Sequence, residues 1–70
     1  MNTKPPPRPA VKQAMAIAAQ YKDKPEDKAA MMVAAQIRMF WDPHMQKLLR
    51  GGIAAGEVDD PVILKAVDLI

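Results

Sequence analysis

The chain has 70 residues, ten of them Lys or Arg and eight Asp or Glu, for a net charge of +2, which makes one small domain at most. It has no cysteine and a single histidine, so disulfides are excluded and a zinc site nearly so as sources of stability, leaving helix packing and a partner surface. No apolar run approaches the roughly 20 residues needed to cross a bilayer, and Ala14 to Ala19 is too short for a signal-peptide core, so a cytoplasmic location is expected.

The chain opens with Pro5-Pro6-Pro7-Arg8-Pro9. Proline fixes φ and lacks an N–H, so residues 1–9 read as an extended, polyproline-like arm. Such an arm is a spacer or, less commonly, a ligand for a proline-recognising domain. The helical domain is expected over residues 10–70. Its first helix spans about 10–22, with Val11, Met15 and Ala18 on one face and Ile17 and Tyr21 widening it. Lys24-Pro25 ends it, because the residue before proline is pushed out of the helical region.

The second helix, about 25–41, is the clearest. Pro25 suits a first helical position, and Glu26 and Asp27 complement the positive helix start. Ala30, Val33, Ala34, Ile37, Phe40 and Trp41 form an apolar stripe, flanked by Met32, Gln36 and Met39. An apolar arc that wide is expected to be contacted from two sides. Asp42-Pro43 then starts a third helix over about 43–55, the aspartate accepting from the free N–H groups of the first turn. Met45, Leu48, Leu49 and Ile53 give its apolar face. Gly51-Gly52 could end or merely weaken this helix, but the period carries through, and Gly56 is the expected left-handed cap. Asp60-Pro61 repeats the capping device for a last helix over about 61–69, with Val62, Ile63, Ala66 and Val67 apolar. No stretch alternates with period two. The fold expected is all-α, a small bundle of three to four short helices.

The charge is uneven, with a balance of +4 from Met1 to Lys24 and −3 from Gly51 to Ile70. That polarity can orient the protein on a partner, or it is simply two solvated ends. The chain has no serine, and its single threonine, Thr3, lies in the arm, so no nucleophile–base pair of the usual kind can be built. Asp42, Asp60, Glu26 and Asp27 are accounted for by helix starts. The reading is a non-catalytic chain with no metal or cofactor of its own. Nucleic-acid binding is a competing class for a small basic protein, but the second helix carries only Lys28 and Arg38, and the basic residues do not line one face.

The most informative cluster is Met39-Phe40-Trp41-Asp42-Pro43-His44-Met45. Two of the three aromatic residues sit at one bend, next to methionines. Trp and Met are typical interface anchors, and they are equally able to staple a helix corner to a small core. His44, at the second position of the third helix, either touches a partner or is an ordinary neutral surface residue.

This corner resembles that of the delta subunits of NAD-linked, molybdenum-containing formate dehydrogenases. That family has an Ile-Ala-like first helix, an alanine-rich second helix, a Phe-Trp-Asp-Pro-Arg-Met corner, a Leu-Leu pair, a glycine-containing linker and a last helix ending in Ala-Val. The matching elements here are Met15-Ala16-Ile17-Ala18, Gln36 through Met45, Leu48-Leu49, Ala54-Ala55-Gly56, and Asp60-Pro61-Val62 through Ala66-Val67. His44 stands where the family has arginine, and Gly51-Gly52 replaces a better helix-forming pair. The resemblance implies an accessory subunit of a soluble enzyme. Its partner would be the catalytic alpha subunit, within a complex carrying bis-molybdopterin guanine dinucleotide, iron–sulfur clusters, FMN and NAD. It also implies a role in assembly, cofactor insertion or stability, with residues Met39 to Met45 as the docking corner. The alternative from the residues alone is a free-standing helical adaptor or a homo-oligomer burying its own methionine face.

Overall fold

The computed structural model describes residues 8–70; all of the expected arm but Arg8 and Pro9 lies outside them. Four helices follow in order: α1 (Pro9–Ala19), α2 (Glu26–Phe40), α3 (Pro43–Ala54) and α4 (Pro61–Leu69). Among the described residues there is no strand.

The helix boundaries follow from capping chemistry. Pro9, read above as the end of the arm, is instead the first residue of α1, where its missing N–H costs nothing. α1 stops at Ala19, short of the expected end, and the chain tightens into i→i+3 turns. Gln20 N–H donates to the Ile17 carbonyl and Tyr21 N–H to that of Ala18, both at 3.0 Å. Tyr21 is thereby turned toward α2, where its hydroxyl accepts a hydrogen bond from the Gln36 side chain. Pro25 precedes α2 as its N-cap with an extended ψ of 147°, so Glu26 and not Pro25 is the first helical residue. Asp42 and Asp60 cap α3 and α4 as expected, accepting from Met45 N–H at 2.8 Å and from Val62 N–H at 2.9 Å.

α3 runs unbroken through Gly51-Gly52 and ends in a Schellman motif. Glu57 N–H reaches back to the Gly52 carbonyl at 2.9 Å, Gly56 N–H to that of Ile53 at 3.0 Å, and Gly56 takes φ +79°. Gly52 is buried beside α1. A Cβ there would fall well inside contact distance of Val11 Cγ2, so glycine allows the two helices to approach.

Helices adjacent in sequence are not the ones that pack best. α2 lies mainly against α4 and α1 against α3, while α1 also touches α2 and α4 and so joins the two pairs. The core between them holds Val11, Val33, Ile37, Leu49, Val58 and Ile63 with six alanines: Ala10, Ala14, Ala18, Ala30, Ala34 and Ala66. No aromatic side chain is fully buried in it. Alanine permits close helix approach but removes little area from water, so the hydrophobic stabilisation of this core is small for its number of residues.

Two ion-pair clusters tie distant segments together. Arg8 Nε sits 3.0 Å from Glu57 Oε2, and Arg8 N–H donates to Oε1, fixing the start of α1 to the α3–α4 connection. Lys65 of α4 reaches Glu26 at 2.6 Å and Asp27 at 2.7 Å, pinning the start of α2. The Lys65 hydrogen bond, with its charge second, holds the Asp27 carboxyl below the usual carboxylate range, and the Arg8 hydrogen bond does the same for Glu57. Hydrogen bonds to Asp27 and Glu26 raise Lys65 above the usual lysine value.

Candidate functional site

The bend between α2 and α3 is built by three backbone decisions. Trp41 closes α2, its N–H donating to the Ile37 carbonyl at 2.9 Å while its own ψ of 138° turns the chain out of the helix. Asp42, also extended, caps α3 through Met45 N–H, and Pro43 supplies its first residue. Gln46 donates its side-chain amide to the Trp41 carbonyl at 3.4 Å, and its N–H to that of Asp42 at 3.2 Å. Four hydrogen bonds between Ile37 and Gln46 hold the corner in one conformation.

That geometry divides the seven expected site residues into two groups. Trp41 and Met45 are half-buried and pack against the core, beside Leu48. Met39 and Phe40 point outward, 74% and 76% exposed, and Asp42, Pro43 and His44 are exposed as well. Phe40 therefore does not belong to the buried stripe in which the spacing put it. The stripe Ala30–Val33–Ala34–Ile37 continues to Trp41, one turn beyond Ile37, whereas Phe40 is rotated about 100° from Trp41 around the helix. The flanking stripe also divides. Met32 and Gln36 are half-buried, Gln36 donating to Tyr21 just past α1, and only Met39 is solvent-facing.

An apolar surface that the spacing argument passed over adjoins the corner. Met31 is 63% exposed on α2 and Leu69 49% exposed on α4. With Ala35 they line a shallow trough along the α2–α4 seam. It starts at Asp27, Lys65 and Asp68, passes Met31 and Leu69 and ends at Ala35 and Arg38, beyond which a hollow lined by α2 alone reaches Met39. The span from Asp27 to Met39 is about 18 Å of helix. Met31, Ala35 and Met39 recur at four-residue spacing, a signal present in the sequence. Large side chains left exposed in contiguous array mark interaction surfaces more often than singly scattered ones.

Among the described residues no group of three or more His, Cys, Asp or Glu is arranged to hold a metal ion, and no helix is long and apolar enough to cross a membrane. The family described as NADH-dependent formate dehydrogenase delta subunit FdsD matches residues 10–67, nearly the whole helical region. The chain belongs to this delta-subunit family. No curated protein and no solved structure matches it. The matched span begins one residue after the start of α1 and ends within α4, so all four helices and the corner fall in the delta-subunit region, and the proline-rich arm falls outside it.

Proposed function

We propose that this delta subunit is a non-catalytic accessory chain that binds the catalytic alpha subunit of a formate dehydrogenase through the α2–α3 corner. The observation that carries the reading is Met39 and Phe40, two large apolar side chains held outward by a hydrogen-bonded bend at the edge of an alanine-rich core. A chain with little buried area gains most by covering such residues on a partner. By binding one state of the alpha subunit better than others, the delta subunit would raise the population of that state, by an amount set by its differential affinity. The state in question is the one competent to receive or hold bis-molybdopterin guanine dinucleotide and the iron–sulfur clusters. FMN and NAD chemistry belongs to other parts of the complex. This chain, lacking cysteine, supplies no thiolate ligand to a cluster. The setting is the cytoplasm.

The division of the corner sharpens the roles. Phe40 and Met39 are the anchors that enter the alpha subunit, His44 and Pro43 form the rim, and Trp41 and Met45 hold the bend from beneath. Titration calorimetry of the full chain against the purified alpha subunit tests this. Phe40→Ala should weaken binding by about 2 kcal/mol, the size of an interface hot spot, while leaving the fold intact. Unchanged affinity in that variant removes the corner from the interface.

A further inference from the structure

Resting on that reading, we infer that the α2–α4 trough seats one amphipathic helix of the alpha subunit, with a basic side chain over Asp27 and Asp68 and an acidic one beside Arg38. The trough adjoins the corner, because Ala35 and Arg38 at its end also line the hollow on α2 that reaches Met39. Its floor has the form that a third helix fits: a row at four-residue spacing, Met31–Ala35–Met39, with Leu69 across the seam. Ala35, at the midpoint, leaves room for a neighbouring backbone, and the methionines to either side adapt to whatever apolar residues arrive.

Charge gives the occupant its direction. At one end Asp27, Lys65 and Asp68 line the trough with a net −1, Lys65 being shared between Asp27 and Glu26, and Asp68 makes no ion pair among the described residues. Lys28 does not line the trough. At the other end Arg38 lines the wall and makes no ion pair among the described residues. An incoming helix with a lysine or arginine at the acidic end and an aspartate or glutamate some three turns away is matched at both ends. The reverse orientation meets like charge at both.

Photo-cross-linking tests the assignment in the complex itself. The full chain is co-expressed with the formate dehydrogenase subunits, with the cross-linker at Ala35 in the trough or at the exposed Lys12 on α1, a helix with no residue in the trough lining. Copurification with a cross-link to one alpha-subunit helix from position 35, and none from 12, is the expected result. Ala35→Arg should then lower affinity about 30-fold without unfolding the chain, since arginine is a good helix former at an exposed site. Asp68→Lys should weaken binding, and a charge reversal on the alpha subunit should restore it. Copurification with cross-links from position 12 only, or from 35 to a second copy of this chain, overturns the trough assignment while sparing the accessory role. Loss of copurification for the unmodified chain overturns both.

Discussion

Two adjacent glycines in α3 should respond to the same substitution with opposite sign. In a helix interior, alanine is favoured over glycine by about 1 kcal/mol, so propensity alone predicts that Gly51→Ala and Gly52→Ala both stabilise. Packing separates them. A Cβ at position 51 comes within 3.0 Å of Arg8 Nη1, the far end of a flexible side chain that swings aside, so a gain of about 0.5–1 kcal/mol survives. At position 52 it strikes Val11 Cγ2 and lies 3.3 Å from Glu57 Oε1. Val11 is fully buried and β-branched, so it has no free rotamer to escape into, and α1 must move off α3. Because α1 as a whole is displaced, the overpacking cost falls in the upper part of its usual range, about 2–3 kcal/mol, and subtracting the propensity gain of about 1 kcal/mol leaves Gly52→Ala destabilised by about 1–2 kcal/mol. In a chain of this size that lowers the melting temperature by roughly 4–15 °C, readable by circular dichroism, whereas Gly51→Ala raises it by a few degrees. Val11→Ala in the Gly52→Ala background should recover part of the loss, a coupling expected only if the two residues touch. A Gly52→Ala protein as stable as Gly51→Ala would refute the close α1–α3 approach.

Substitutions at the corner should separate stability from binding. Phe40→Ala is expected to change unfolding free energy by about 0.5 kcal/mol or less, because the side chain faces water, whereas the half-buried Trp41→Ala should cost about 1–2 kcal/mol. Urea denaturation of the two variants distinguishes them. Asp42→Ala and Asp60→Ala each remove an N-cap hydrogen bond and should each cost about 1 kcal/mol, with effects that add, since the two caps share no partner. Stability should fall with acid. Glu57 and Asp27 have lowered folded-state values, so their contribution is full above the ordinary values of 4.5 and 3.8 and is lost as pH falls through the lowered ones. Lys65, being raised, contributes below its ordinary 10.5 and loses that contribution only as strong alkali reaches the raised value. Melting curves of Glu57→Gln should show a shallower acid limb than the parent chain.

The helices were legible because their signals are local. Asp42-Pro43 and Asp60-Pro61 announce helix starts through one hydrogen bond each, Gly56 announces an end through its positive φ, and the Ala30–Val33–Ile37 spacing declares a buried face. The corner was visible for the same reason, as aromatics, a cap and a proline in sequence. What each corner residue does was not. Phe40 and Trp41 are neighbours in the chain but differ by about 100° around the helix, and only the positions of α1 and α4 decide which one the core receives. Gly52 illustrates the same boundary. Nothing in Gly51-Gly52 tells which glycine faces Val11, forty-one positions away. The Lys65 clasp on Glu26 and Asp27 and the Arg8–Glu57 pair likewise join segments that only the packing order brings together. The exposed Met31–Ala35–Met39 row was legible in principle, and was obscured by the parallel Met32–Gln36–Met39 row, two of whose members turn inward.

The central claim is that this delta subunit docks on the alpha subunit of a formate dehydrogenase. The most direct test is an affinity pulldown of the tagged full chain from its native cell, with partner identification and molybdenum analysis of the eluate. The account predicts a large molybdenum-containing formate dehydrogenase subunit that is present with the parent chain and depleted with Phe40→Ala. Recovery of the chain alone, or with partners unrelated to formate dehydrogenase, would contradict it.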